Sequence, residues 1–556
     1  MKGLGEVLVE MGVIDEAMLE LAVKEAESIG RSIEEVLVLG FFVPEDAVAK
    51  ASAVVFDCRL VDLSQVSFSE DLVNSFTPQD VEKFIYLGAV PFEVSEKSVK
   101  FAAAKLGLEV RMQLEKYVRR RFGKELELFV APRSQVEKAL NDYFLRTGFS
   151  SAIERYVSEA LEYEKQAAGV NAAVPLLLDA LLTEAVYSRA TDLHLVADSF
   201  SVRHFLRIDG LIRYIRSFPV KIWPRISSAV KQRSGMDPGD RIHVQDGHFT
   251  FIPGTGLRRV NVRVSAIPTA DEGESIVMRI LDESRVSFRL PALGFFSEDL
   301  AFVYQILEKP HGLILVTGPT GSGKTTTLYS ILQHLRPHSR SVLTIEDPVE
   351  YNLPFVRQVQ VNRRAGRIPA QILRSFLRHD PDVILVGEIR DRETAEVAMQ
   401  AAETGHLVLS TLHTNDAPSA VIRLKDMGID PISIASTLRL VIAQRLVRVL
   451  CPHCKKQEPP ESWERAYLKE ASFDLELVYH ERGCELCSGQ GFIGRTVVYE
   501  LIGFSEADYE ALRRAKSVQD VVDAAKEKGY KPLRFCGLKK VSEGVTTVGE
   551  VMRVCG

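Results

Sequence analysis

A glycine-rich segment between two apolar runs limits the folds open to this chain more than any other part of the sequence. Residues 318–326 read Gly-Pro-Thr-Gly-Ser-Gly-Lys-Thr-Thr, which fits the pattern G-x-x-x-x-G-K-[ST]. An apolar run at 313–316 precedes them, and a helix-compatible run at 327–332 follows. A strand that turns through glycines into a helix points several backbone N–H groups at one place, where they bind phosphate. The segment predicts a nucleotide-binding P-loop; a glycine-rich turn with a chance lysine is the alternative.

The P-loop pattern also assigns roles to individual residues. Lys324 is expected to reach the β- and γ-phosphates of ATP, and Thr325 is expected to hold the Mg²⁺ ion. The residues predicted to contact the nucleotide are Gly318, Pro319, Thr320, Gly321, Ser322, Gly323, Lys324, Thr325 and Thr326.

Two acidic segments follow apolar runs farther along the chain. Glu388 comes after residues 383–386, and a buried strand that ends in an acid supplies the carboxylate on the Mg²⁺ side of a P-loop site. Glu346, Asp347 and Glu350 lie within five residues, where carboxylates repel one another unless cations are close. One of them is predicted to orient or deprotonate an attacking water. For Glu388 the alternative is an exposed acid at a strand end, and for the three clustered acids the alternative is a solvated acidic turn.

Two histidines flank a further apolar run at residues 407–412. They are His406 and His413, with Thr411 and Asn415 nearby. One hypothesis is that the pair senses the γ-phosphate; the alternative is that both are structural histidines.

Four of the seven cysteines form two Cys-x-x-Cys pairs, Cys451 with Cys454 and Cys484 with Cys487. Each pair turns two thiolates toward one point, so two pairs complete a tetrahedral zinc site. The site is remote in sequence from the P-loop, so a structural zinc is predicted. Four buried thiols or a redox pair are the alternatives.

The length of 556 residues requires three or more folding units. Alternating apolar runs and helical stretches predict an α/β protein whose nucleotide domain has a mostly parallel sheet. The predicted segments are a duplicated helical and α+β module at 1–145, a helical linker at 146–171, a small α/β domain at 172–290, the nucleotide domain at 291–450, a cysteine subdomain at 451–490 and a helical tail at 491–556. Within the module, residues 5–12 recur weakly as residues 33–40.

The charge balance and the hydropathy exclude two broad classes. Lys and Arg number 69 against 75 Asp and Glu, a net charge of −6, which argues against a protein that coats DNA. The sequence has no run of 18 uncharged apolar residues, and acids stand near its start where a signal peptide is apolar. We therefore expect a cytoplasmic protein.

The order of four blocks resembles the secretion ATPase family, and within it the motors of type II secretion and type IV pilus assembly. The blocks are GPTGSGKTT, LTIEDPVEY, LRHDPDVILVGEIRD and TGHLVLSTLHTN. The resemblance implies a RecA-like P-loop ATPase domain preceded by a PAS-like α/β domain, with a Cys₄ zinc insert. The roles that it implies are Glu350 as the catalytic base, with Glu346 and Asp347 beside it, Glu388 as the Walker B acid, and His406 and His413 as the histidine-box residues.

The resemblance also implies a homohexamer, held at the inner membrane through a platform protein and a cytoplasmic docking domain. Arg207 and Arg213 would then reach the γ-phosphate of a neighbouring subunit, with ordinary surface pairing as the alternative. The chain departs from the family pattern at Phe205 and His248, where arginine is usual.

The N-terminal module resembles the part of these motors that binds a nucleotide messenger or docks to a partner. Lys2 and Arg31 open its two copies, and the second copy lacks the glycine of the family pattern. Docking to a membrane protein is therefore favoured over cyclic di-GMP. The predicted function is ATP-driven assembly of a type IV pilus or a type II secretion pseudopilus. A DNA-translocating or DNA-uptake motor of the same superfamily is the alternative, although the acidic balance argues against a nucleic-acid partner.

Overall fold

The computed structural model is a mixed α/β protein that forms two compact units, Met1–Glu283 and Ser284–Gly556. It describes residues 3–556 apart from 30–31, 40, 42, 67, 69–71, 73–74, 77, 105, 141–145, 163–172, 254–259, 271–272, 283–288, 336, 485–486 and 488. Within the described residues, none of the helices has the length and apolar character needed to cross a membrane.

The first unit begins with a helical cluster. Its helices are Leu4–Glu10, Glu16–Ile29, Ile33–Leu39 and Glu45–Val55. The weak repeat of the sequence corresponds to the first and third of these helices, and Leu8 and Val36 are buried at equivalent places in the two copies. Gly12 follows the first copy with a φ of +67°, a left-handed conformation in which a helix commonly ends on glycine.

A four-stranded sheet follows the helical cluster. Its strands are β1 (Arg59–Leu60), β2 (Ala89–Val94), β3 (Ser98–Ala103) and β4 (Glu125–Val130), in the order β1-β4-β3-β2. Strands β2 and β3 form the antiparallel hairpin that the sequence predicts. The accompanying helices are Pro78–Leu87, Leu108–Phe122 and Arg133–Ala139. Phe84, Phe101 and Leu114 are fully buried between these helices and the sheet.

The rest of the first unit is a six-stranded antiparallel sheet in the order β7-β6-β5-β10-β9-β8. Its strands are β5 (Ala190–Ala197), β6 (Ser201–Ile208), β7 (Leu211–Pro219), β8 (Gln245–Phe251), β9 (Val260–Pro268) and β10 (Glu274–Leu281). Its helices are Arg146–Glu162, Ala173–Tyr187 and Trp223–Arg233. Because side chains alternate along a strand, one face buries Leu193, Leu206 and Met278 against helices. The other face carries charged residues.

The second unit contains a seven-stranded sheet in the order β13-β12-β14-β15-β11-β16-β19, in which β19 (Phe492–Gly503) is an edge strand. Its parallel strands are β11 (Gly312–Thr317), β12 (Val342–Glu346), β13 (Val356–Gln360), β14 (Val383–Val386), β15 (Leu407–Leu412) and β16 (Leu438–Leu450). The helices that cover it are Ser297–Leu307, Lys324–His334, Pro369–Phe376, Arg392–Glu403, Ala417–Asp426 and Pro431–Thr437. All residues of β11, β14 and β15 are buried, as in parallel strands covered on both faces. The predicted mostly parallel sheet is confirmed.

The C-terminal segment corrects one expectation. The start of the predicted helical tail is instead strand β19 (Phe492–Gly503), which pairs antiparallel with β16 at the sheet edge. Its sequence, FIGRTVVYELIG, is rich in β-branched and aromatic residues, which favour a strand. Between β16 and β19 lie the short strands β17 (Lys456–Glu458) and β18 (Val478–His480) and the helix Ser462–Glu470. The closing helices are Tyr509–Arg514, Val518–Lys526, Leu533–Ser542 and Val548–Cys555.

Candidate nucleotide-binding and metal-binding sites

The P-loop connects β11 to the helix Lys324–His334, as the sequence predicts. Its first glycine, Gly318, has a φ of +144°, and a Cβ atom there would lie 2.5 Å from the carbonyl oxygen of Gln444. Gly323, just before the helix, has a φ of +87°. A larger residue at either place would strain the backbone, and at Gly318 it would also collide with the sheet.

The Lys324 ammonium lies inside this loop. Its Nζ donates hydrogen bonds to the carbonyl oxygens of Gly318 at 2.8 Å and Pro319 at 3.1 Å. Burial lowers the pKa of Lys324, and the nearby carboxylates of Glu388 and Glu350 partly offset that effect. Both acids are therefore close enough to act on the ammonium electrostatically, and the lysine is held against the loop that it serves.

The loop also contains an unpartnered donor. The Ser322 side chain is only 3% exposed, and its Oγ has no hydrogen-bond partner among the residues that the structure describes. A buried hydroxyl without a partner is costly unless a ligand satisfies it. Pro319, Thr320 and Gly321 are exposed at the loop tip, so solutes reach the loop. A hydroxyl, an ammonium and a helix N-terminus together fit a phosphate group.

The carboxyl ends of neighbouring strands bring acids to the same edge. Glu388 follows β14, and its carboxylate forms an ion pair with the Arg390 guanidinium and a hydrogen bond with His413 Nε2 at 3.3 Å. His413 itself directly follows β15. The structure thus brings Lys324, Glu350, Glu388 and His413 together, because β12, β14, β15 and β11 are consecutive in the sheet.

Glu346 is held differently from the other acids of its segment. Its carboxylate is buried at the end of β12 and accepts hydrogen bonds from the Tyr329 hydroxyl, the Thr344 hydroxyl (2.6 Å) and the Gln358 amide (3.0 Å). The same Gln358 amide donates to the carbonyl oxygen of Tyr351 at 3.0 Å, directly after Glu350. Glu346 therefore braces the segment that carries Glu350. Asp347, between them, is exposed.

His406 lies at the opposite end of β15 from His413. Its Nδ1 lies 2.9 Å from the carbonyl oxygen of Ala401, near the end of the preceding helix, and its own carbonyl accepts from Gly312 N–H at the start of β11. With a rise of about 3.3 Å per strand residue, seven residues separate the two histidines by about 23 Å. The structure does not bring His406 to the P-loop of its own chain.

Strand β16 places two further polar residues at the P-loop that were not singled out from the sequence. Gln444 is buried beside the loop, and Arg445 lies close enough to Lys324 to contribute to the lowering of its pKa. The Arg445 guanidinium also donates to the carbonyl oxygen of Asn415 at 2.8 Å. The available signal was an adjacent Gln and Arg within the otherwise largely apolar strand LRLVIAQRLVRVL.

The six-stranded sheet of the first unit carries a row of arginines on its open face. Asp192 of β5 is buried, and its two carboxylate oxygens lie 3.4 Å from Arg207 Nε and 3.0 Å from Arg279 Nε. Arg213 pairs across the sheet with Leu206, so it lies on the helix-covered face instead. The two predicted arginines therefore do not share a surface. Arg279, which does share one with Arg207, was not predicted as a site residue.

The four paired cysteines converge in the second unit. The Sγ atoms of Cys451, Cys454, Cys484 and Cys487 all lie within 4.8 Å of one another. The separations are 3.8 Å for Cys451 to Cys484, 3.7 Å for Cys454 to Cys487 and 3.7 Å for Cys484 to Cys487. Four sulfurs placed about 2.3 Å from a tetrahedral zinc lie about 3.8 Å apart, so the cluster fits that metal.

Backbone N–H groups surround these sulfurs. Cys487 Sγ accepts from the N–H groups of Cys484 and Gly491, both at 3.1 Å, and Cys454 Sγ accepts from Gly483 N–H at 3.3 Å. Burial raises the pKa of Cys487, but the donated hydrogen bonds outweigh burial and bring it to about 7. Such donors stabilise the thiolates that bind a metal. The messenger-contacting candidates Lys2 and Arg31 lie outside the described residues.

A strand, a glycine-rich loop and a helix that hold a lysine beside two acids at the carboxyl edge of a parallel sheet define a P-loop ATPase of RecA-like fold. Residues 166–553 match the model of the family described as "Type II/IV secretion system protein". The chain belongs to this family, and it is an ATP hydrolase of the secretion and pilus-assembly ATPases.

Two relatives match this chain over most of their lengths. The type IV pilus assembly ATPase PilB of Myxococcus xanthus is 35% identical over 564 residues, covering 99% of this chain and 98% of the relative. The type II secretion system protein E of Pseudomonas aeruginosa is 43% identical over 380 residues, covering 68% of this chain and 74% of the relative. The X-ray structure of the Legionella pneumophila ATPase DotB has a similar fold, with a TM-score of 0.50 at 22% identity, covering 68% of this chain and 95% of that one.

Proposed function

We propose that the protein is a homohexameric, cytoplasmic motor that uses ATP hydrolysis to assemble a type IV pilus or a type II secretion pseudopilus. The observation that carries the proposal is the meeting of Lys324, Glu350 and Glu388 at one edge of the sheet. Relatives named for both machines support this class of motor. An inner-membrane platform protein is the proposed partner that receives the mechanical work.

The chemistry follows from the charges at the sheet edge. Lys324 and the loop N–H groups bind the β- and γ-phosphates, and Thr325 and Glu388 stand on the Mg²⁺ side. Magnesium supplies charge neutralisation at the phosphates when it is bound. Glu350 orients the water and accepts one of its protons, while the water oxygen bonds to the γ-phosphorus and the bond from the γ-phosphorus to the β-phosphate oxygen breaks, releasing ADP. Glu346 holds the Glu350 segment through Gln358.

Arginines of a neighbouring copy complete the proposed site. Positive charge near the γ-phosphate stabilises the charge of the transition state. Arg207 and Arg279 suit this role because Asp192 holds both on one open face. We favour this pair over Arg207 with Arg213, since Arg213 lies on the other face.

The remaining modules have supporting roles in this proposal. Zinc held by the four cysteines cross-links residues 451–487 and stabilises the end of β16, because Cys451 follows that strand directly. The N-terminal helices dock on a cytoplasmic domain of the membrane machine. A cyclic di-GMP site there is disfavoured by the second copy of the repeat, which lacks the glycine of the family pattern.

An affinity-capture experiment tests the proposed function. The variant Glu350→Gln, expected to bind ATP without hydrolysing it, serves as bait in detergent extracts of membranes from its own cells, with ATP and Mg²⁺. Lys324→Ala, which cannot retain ATP, is the matched control. Mass spectrometry is expected to find a polytopic membrane protein and pilin-like subunits with Glu350→Gln alone. Recovery of DNA-processing proteins without a membrane platform would contradict the proposal and favour a DNA motor.

A further inference from the structure

We propose that Gln444 is a positioning residue of the nucleotide site, which anchors the P-loop to strand β16. The inference rests on ATP binding at the P-loop and assigns a role to a residue outside the glycine-rich motif. Gln444 is 1% exposed and follows the part of β16 that pairs with β11, where Ala443 is opposite Thr317.

The side-chain amide of Gln444 connects the P-loop with the helix that follows it. Its Nε2 donates to the carbonyl oxygen of Ser322 in the loop at 2.7 Å. Its Oε1 accepts from the Thr327 hydroxyl, in the first turn of the following helix, at 2.8 Å. Both partners are buried or shielded, so an apolar side chain at residue 444 would leave a buried carbonyl and a buried hydroxyl without partners.

The contact with Ser322 determines the direction of a backbone donor. The carbonyl of Ser322 and the N–H of Gly323 belong to one planar trans peptide, in which the two groups point in opposite directions. When Gln444 holds the oxygen toward β16, the Gly323 N–H is turned away from that strand. A P-loop binds phosphate with N–H groups that converge on one place, so a peptide that is free to rotate would weaken the convergence.

Gln444 also limits the space at both ends of the loop. Its carbonyl oxygen lies 2.5 Å from the place of a Cβ atom on Gly318, and its Nε2 lies 3.3 Å from that of Gly323. The loop therefore lies against this one residue at its start, through the backbone, and near its end, through the side chain. A side chain that acts on loop geometry in this way is expected to affect nucleotide affinity more than overall stability.

The test compares variants that remove different contacts of the amide. Gln444→Met removes both hydrogen bonds at similar volume, and Gln444→Asn keeps an amide that is one methylene too short to reach both partners. Thr327→Val removes the helix contact and leaves the contact with Ser322. ADP affinity is measured by isothermal titration calorimetry with Mg²⁺, and the thermal midpoint is measured for each full-length variant.

We expect Gln444→Met to weaken ADP binding at least tenfold and Gln444→Asn at least threefold. Thr327→Val is expected to lower the thermal midpoint as Gln444→Met does, but to bind ADP within twofold of the wild type. Wild-type affinity in both Gln444 variants, or an equal loss of affinity in Thr327→Val, would overturn the inference. Absence of ADP binding by the wild-type protein would instead contradict the nucleotide site itself.

Discussion

The two large sheets of this protein present their functional side chains in opposite ways. In the parallel sheet of the second unit, β11, β14 and β15 are fully buried, and Lys324 and Glu388 lie beyond the ends of β11 and β14. In the antiparallel sheet of the first unit, Arg207 and Arg279 lie within strands β6 and β10, on the open face. The first arrangement places the proposed catalytic residues along one edge of the sheet, which we term the catalytic edge, and the second makes a charged surface suited to the proposed contact with a neighbouring copy.

This difference affects how each site tolerates substitution. The P-loop lies against the sheet and against Gln444, so its geometry depends on the fold of its own unit. The arginine row depends on a single buried carboxylate, Asp192, and its side chains extend toward solvent. Substitutions at the catalytic edge should therefore abolish ATP hydrolysis. Substitutions on the open face should instead lower the hydrolysis rate in proportion to the charge removed.

The largest effect is expected at the catalytic edge. Lys324→Ala removes the ammonium that neutralises the γ-phosphate, so ATP hydrolysis should fall at least about a thousandfold. Lys309→Ala, outside the loop, is the matched control and should retain wild-type activity. A phosphate-release assay measures both variants. Hydrolysis by Lys324→Ala above a tenth of the wild-type rate would contradict the assignment.

Substitutions of two acids in the segment 346–350 should have different effects, one on catalysis and one on stability. Glu350→Gln should lower kcat about a hundredfold, with ATP affinity within threefold of the wild type, because a base or water-orienting group is lost. Glu346→Gln should lower the free energy of unfolding by about 1–3 kcal/mol, since an amide donor replaces an acceptor that faces three donors. Single-turnover kinetics and urea unfolding measure the two effects. A loss of stability with Glu350→Gln and a loss of kcat with Glu346→Gln would contradict these two roles.

Substitutions on the open face should lower kcat less than substitutions at the P-loop, and only at the two arginines that contact Asp192. Arg207→Ala and Arg279→Ala should each lower kcat about 10- to 100-fold, because each removes one cation from the γ-phosphate of a neighbouring copy. Arg213→Ala should change kcat less than threefold, since Arg213 lies on the covered face. Arg203→Ala is the control on the same strand, with its own partner Asp198 at 2.6 Å. A large loss of kcat with Arg213→Ala and none with Arg279→Ala would contradict the assignment of Arg207 and Arg279 to this role.

Removal of the metal from the four cysteines should have the smallest effect on the rate of ATP hydrolysis. Stripping the protein with a chelator should lower the thermal midpoint of the second unit and leave kcat at low temperature within about twofold, because the cysteines stabilise the end of β16. Each kcal/mol lost corresponds to about 2–4 °C for a unit of this size. Elemental analysis should find one zinc per chain, absent in Cys484→Ser and retained in Cys58→Ser. An unchanged midpoint after complete removal would contradict a structural role.

The contrast between the sheets also explains what the sequence predicted and what it did not. The P-loop was predictable because its residues are contiguous and its strand and helix directly flank it. Gln444 contacts the loop from 122 residues away, and Arg279 meets Asp192 from 87 residues away, so only strand pairing brings them together. His406 and His413 appear equivalent along the chain, yet a strand has two ends, and only the fold shows which end holds the P-loop.

The central claim is that the catalytic edge of one copy is completed by the open face of another. Subunit mixing tests it directly: Lys324→Ala keeps its arginines but has no working P-loop, and the double variant Arg207→Ala/Arg279→Ala has the reverse defect. Each variant alone should hydrolyse ATP at about one percent of the wild-type rate or less. Mixed rings should recover a substantial part of the wild-type rate, because some interfaces pair an intact P-loop with intact arginines. Activity that stays at the level of the separate variants, in rings shown by native mass spectrometry to contain both, would contradict the account.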